Sequence, residues 1–151
     1  MLSRRHFLAS SLVVDDPIGV LIVDGRHNHD WRATTSQLRS ILGSAGFRVD
    51  VATAPQSNAE MPGFHPEFSR YRVVLPNYTD FGNGGEWAPA TRRDFSAFVR
   101  SGGGVVIVHA DSSAFRAWQE YSEICGLGGW GGRHERSGPL LRCWPYGTSL
   151  D

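Results

Sequence analysis

The sequence predicts an α/β sandwich built around a mainly parallel sheet, and three observations lead to it. Apolar runs rich in β-branched residues recur at Ile18–Val23, Tyr71–Leu75 and Val105–Val108, the pattern of strands buried on both faces. Segments with helical spacing of apolar residues lie between such runs. Polar clusters follow directly on all three runs, and in an open parallel sheet ligands bind beyond the carboxyl ends of the strands.

Taken in order, Ile18 to Val23 reads as the first strand. Thr34 or Thr35 is expected to cap a helix whose apolar positions are Leu38, Ile41, Leu42 and Ala45, with Gly46 just past its end. Phe47 to Thr53 alternates and reads as a second, more exposed strand, which completes a βαβ unit. Residues 54–70 contain three prolines and form a connection, with a short helical turn expected near Glu67. Tyr71 to Leu75 is the third strand. Pro89 suits the first turn of a helix that presents Phe95, Phe98 and Val99 on one face and stops at Gly102–Gly104. Val105 to Val108 is the fourth strand, and Ala114 to Ile124 reads as a third helix. Pro139 to Trp144 begins an extended segment.

Composition narrows the function classes. A chain of 151 residues is one domain by size, here residues 17–151. Fifteen basic and fifteen acidic residues leave no net charge to steer nucleic acid, and no run approaches the ~20 apolar residues of a membrane span. Cys125 and Cys143 lack metal-ligand spacing and read as separate thiols. Residues 1–16 form a leader: Ser3-Arg-Arg-His-Phe-Leu8 resembles a twin-arginine export signal, although its apolar stretch is short. Export is the expectation, with a cytoplasmic protein as the alternative.

Three clusters are the candidates for chemistry. The first packs Arg26, His27, His29, Asp30 and Trp31 together after the first strand. Imidazole serves as acid, base or metal ligand near neutral pH, Asp30 could orient a ring, and an indole offers a face for a sugar ring. His27 and His29 are two residues apart and would share a face in an extended segment, which leaves a divalent metal held by them open. The bland alternative is a loop whose side chains only cap the next helix. Asn77, Tyr78 and Asp80 follow the third strand, and Phe81 to Trp87 could fold over the pocket, with Trp87 among the substrate contacts. His109 and Asp111 follow the fourth strand, and Asp111 could hold His109 or bind substrate hydroxyls. Gly126–Gly131 matches G-x-G-x-x-G but follows a helix, so neither a nicotinamide nor a flavin cofactor is expected. Those glycines instead allow close approach to the pocket, with Arg133 and His134 as polar contacts. There is no G-x-S-x-G, and no cysteine stands at the turn that follows Val108, so a nucleophile elbow is absent.

Four stretches together resemble the ThuA-like (trehalose utilisation) family of the class I glutamine amidotransferase-like fold. They are Val20–Trp31, Asn77–Trp87, Gly102–Ala110 and Gly126–Arg133, in the family's order. The resemblance implies a flavodoxin-like three-layer domain tied to disaccharide and glycoside catabolism and acting on keto-sugars, without the cysteine of glutamine amidotransferases. It points to His27, His29, Asp30, His109, Arg133 and His134 as pocket positions. Members usually continue beyond the length of this chain, so a C-terminally shortened homologue with an incomplete sheet is expected. The reading is therefore a carbohydrate-processing enzyme with His27 or His109 as general base, and Asp30 and Asp111 as orienting groups. Arg26, His29, Trp31, Asn77, Tyr78, Trp87, Arg133 and His134 are its substrate contacts. A non-catalytic carbohydrate-binding module and an inactive fragment are the alternatives, and homo-oligomerisation is left open.

Overall fold

A computed structural model describes residues 16–80 and 84–126. Its four strands are β1 (Gly19–Asp24), β2 (Arg48–Thr53), β3 (Val73–Pro76) and β4 (Gly104–Val105), all parallel and ordered β2-β1-β3-β4. Three helices accompany them, α1 (Trp31–Ser44), α2 (Pro89–Arg100) and α3 (Gln119–Cys125). The segment between β2 and β3 holds two 3₁₀ turns, Asn58–Gly63 and Phe68–Arg70, where a single turn near Glu67 was expected.

Period-two alternation in β1 creates the layers. Val20 and Ile22 join Leu75 in a cluster packed against Leu38 and Leu42 of α1. Leu21 and Val23 point the other way, into a cluster with Phe95 and Phe98 of α2 and Tyr121 of α3. A strand apolar on both sides is therefore covered on both sides, and the fold is the flavodoxin-like three-layer α/β sandwich. The α2 and α3 side is dominated by aromatic rings. Trp87 sits at its centre, 1% exposed, with ring centroids 4.8 Å from Phe115, 5.5 Å from Phe95 and 5.7 Å from Phe68.

Local chemistry moves three boundaries away from expectation. Asp30, not Thr34 or Thr35, caps α1: its carboxylate accepts the N–H of Ala33 at 3.1 Å, while Thr35 is drawn inward to Asp24. The fourth strand is shorter than Val105–Val108. Val106 still donates to the Val74 carbonyl, but the Val108 N–H turns to the Asp111 carboxylate, and His109–Ser113 becomes a 3₁₀ turn. The last helix begins at Gln119 rather than Ala114, because Phe115 takes a left-handed φ of 54° and gives its N–H to Asp80.

One glycine is dictated by a close approach. Gly25 follows β1 at φ 117°, and a Cβ there would stand 2.4 Å from the Ala54 carbonyl oxygen. The chain can therefore leave β1 tightly against the end of β2.

Candidate functional site

The strand order reverses at β1. The chain passes from β1 outward to β2, then returns to pair β3 on the other side of β1. The loops leaving β1 and β3 diverge there, and this switch point is where open α/β sheets form their crevice. The three polar clusters meet at this rim. His27, after β1, lies with Nε2 3.5 Å from Oδ1 of Asp111, after β4. The His29 ring stands 5.1 Å from the His27 ring and 5.0 Å from that of His109. Three imidazoles thus form a file, with one end on a buried carboxyl group and the other at the surface.

The inner end is tightly held. Asp111 is fully buried, and its carboxylate accepts the Tyr78 N–H at 2.7 Å and the Val108 N–H at 3.2 Å. Burial pushes its carboxyl up to about 8, against the opposing pull of those two amides. His27 receives the His29 N–H on Nδ1 at 3.0 Å, so its neutral ring carries the proton on Nε2, toward Asp111. Burial lowers its pKa, and the neighbouring His29 and His109 rings lower it further. The outer end is open: His109 and His29 are exposed, and His109 has a left-handed φ of 50°. A non-glycine residue held in that region is strained, and such strain concentrates at functional sites.

Several expected substrate contacts are instead committed to the scaffold. Arg26 spends its guanidinium on the carbonyls of Pro55 and Gln56 and the side chain of Asn58, tying the β1 loop to the segment after β2. Asn77 is buried and donates to the Trp31 carbonyl and the Thr35 hydroxyl. Tyr78 is fully buried, its hydroxyl bonded to the Gly85 carbonyl, and burial pushes its pKa well above the usual phenol value. Trp87 belongs to the aromatic core rather than to a lid, because its ring is enclosed on all sides. Asp30 caps α1. Trp31 is half-buried, with the Arg32 guanidinium 4.1 Å over its ring. Residues 81–83 of the expected lid, together with Arg133, His134, Cys143 and the Pro139–Trp144 segment, lie outside the described residues.

A metal centred on His27 and His29 does not fit this geometry. Both nitrogens of His27 are engaged, one by the His29 backbone and the other facing Asp111. Among the described residues no group of three or more His, Cys, Asp or Glu side chains is arranged to hold a metal ion. Sequence reasoning missed Asp24, whose carboxylate is 2% exposed and bonded to Thr35. The available signal was a carboxylate closing an otherwise apolar strand.

A family model described as ThuA, trehalose utilisation, matches residues 19–142. A ThuA-like protein from Parabacteroides merdae of solved structure is 43% identical, with a TM-score of 0.74 over 82% of this chain and 43% of the other. The chain belongs to the ThuA family. A second ThuA-like structure, from Bacteroides uniformis, is 18% identical with a TM-score of 0.51, over 78% of this chain and 47% of the other, and supports the fold alone. The chain spans less than half the length of these two solved ThuA-like proteins. No curated protein matches it.

Proposed function

We propose that this ThuA-family chain is an enzyme of carbohydrate catabolism that acts on a sugar or keto-sugar at the imidazole file on the strand rim. The observation that supports this most directly is the convergence of His27, His29, His109 and Asp111 from two different loops at the switch point. A scaffold has no need of three adjacent imidazoles, their rings tilted at 41° and 45° to one another and two of them exposed, beside a buried carboxyl group.

The residues divide the work. His109 is the group that meets substrate: its ring is exposed, and no hydrogen bond among the described residues engages its nitrogens, so it is free to take a proton from a sugar hydroxyl or carbon. His27 and Asp111 are positioning residues, a buried pair that fixes the loops after β1 and β4 relative to one another. His29 bridges the two, donating its backbone N–H to His27 and packing its ring near His109.

The test is NMR-monitored turnover of keto-disaccharides and their parent sugars by the 151-residue chain, beside His109→Ala. Removing a general base typically costs about 10²–10⁴-fold in rate. Conversion that falls by this factor in the variant supports the reading. Conversion equal in the two proteins would remove His109 from the mechanism, and none by a folded wild-type sample would favour a binding role.

A further inference from the structure

A concave feature lies beside α1, and none of the imidazole-file residues lines it. It is a cleft of about 620 Å³ between α1 and the carboxyl ends of β1 and β2, open to solvent. A volume in this range suits a small-molecule ligand. Its lining has two kinds of chemistry. Arg32 and Arg39 are seven residues apart on α1, two turns along one stripe, and neither forms an ion pair among the described residues. Arg32 is held over the Trp31 ring at 4.1 Å, so its planar fork is pre-oriented while its N–H edges stay available. The other contributions are hydroxyls, from Ser36 and Ser40 among others, and the carboxylate of Asp24.

Asp24 indicates what the cleft lacks. It is 2% exposed, and its Oδ2 accepts the Thr35 hydroxyl at 2.7 Å. Its Oδ1 has no hydrogen-bond partner among the described residues, although Asp24 lines the cleft. Buried carboxylate oxygens are normally satisfied, and an acceptor beside a hydroxyl-lined cleft is matched by a ligand that donates O–H groups. The two arginines require that the same ligand carry an acid group, since guanidinium pairs in a bidentate manner with carboxylate and phosphate.

We propose that this cleft is a binding site for an anionic sugar, a phosphorylated or carboxylated monosaccharide. Arg32 and Arg39 take the acid group, and Asp24 and the α1 serines take the hydroxyls. The site is separate from the imidazole file and does not depend on that file being catalytic.

The experiment is a ¹H–¹⁵N NMR titration of the whole chain with glucose 6-phosphate, glucuronate, glucose and inorganic phosphate. Saturable shifts at the amides of Arg32, Ser36 and Asp24 are expected with glucose 6-phosphate or glucuronate, and at least tenfold weaker binding with glucose. The double variant R32Q/R39Q should weaken the anionic sugar at least tenfold, with unchanged dispersion of core signals reporting an intact fold. Asp24→Asn should weaken the sugar phosphate while leaving inorganic phosphate unaffected, and His109→Ala should leave the titration unchanged. Inorganic phosphate binding as tightly as the sugar phosphate would mean an adventitious ion only and overturn the proposal. Equal binding of glucose, unaltered binding by R32Q/R39Q, or no saturable shift would overturn it as well.

Discussion

His109 and Asp111 show how two neighbours in one short turn can serve different ends. His109 is exposed on a strained backbone, whereas Asp111 is sealed beneath it and bonded to two amides. Relieving the strain should stabilise the protein at the expense of activity: His109→Gly is expected to gain about 1 kcal/mol in urea unfolding while turnover is lost. Asp111 has a pH signature of known sign. Its carboxyl is raised in the folded protein from 3.8 to about 8, so its favourable contribution is complete below pH 4 and is lost as pH rises toward 8. His27, with a lowered pKa, acts in the opposite sense, losing stability as pH falls below about 6.5. Asp111→Asn should therefore flatten the decline in urea midpoint between pH 5 and pH 8 while leaving the His27 contribution in place. A decline as steep in the variant as in the wild type would assign it to another group.

At the scale of elements, the polar side chains of the rim mostly shape the loops they occupy. Asp30 was expected to orient an imidazole, yet its carboxylate starts α1 at Ala33. Asp30→Ala should cost about 1 kcal/mol of stability, measured by chemical denaturation, with little effect on turnover. A large loss of turnover at unchanged stability would return Asp30 to the site. The turn after β1 depends on Gly25, where a side chain meets the Ala54 backbone. Gly25→Ala is expected to destabilise by about 1–3 kcal/mol, because both the positive φ and the clash oppose it. Element types were legible because hydrophobic period depends only on the chain itself. The ends of β4 and α3 were not, because each is decided by a carboxylate distant in sequence or in turn geometry: Asp111 takes the Val108 N–H and Asp80 takes the Phe115 N–H.

For the molecule as a whole, the sheet divides its two cores unequally. The α1 side is aliphatic, built on Val20, Ile22 and Leu75, while the opposite side gathers Trp87, Phe95, Phe115, Trp118 and Tyr121. The aromatic core also supports the rim, since the Tyr78 ring lies 5.9 Å from Trp87 and its backbone N–H holds Asp111. Trp87→Ala should cost about 3–5 kcal/mol, a large share of the ~5–15 kcal/mol of a typical domain, and broaden the signals of the imidazole file. Thermal unfolding and histidine side-chain NMR would check both effects.

The sequence by itself determined the layered α/β class, the parallel strands and the gathering of polar clusters beyond their carboxyl ends. Each of these follows from apolar period and from which residues come next in the chain. It also singled out His27, His29, His109 and Asp111, because polar residues that interrupt an apolar pattern at a strand end are visible in one dimension. Only the tertiary structure decided which polar groups are spent on the fold and which remain exposed at the rim. Arg26, Asn77, Tyr78 and Trp87 look like contacts in the sequence, but their partners lie across the sheet or in the opposite core. A hydrogen bond or a ring contact between residues distant in sequence leaves no mark on local composition, and burial of this kind appears only when the strands are brought together.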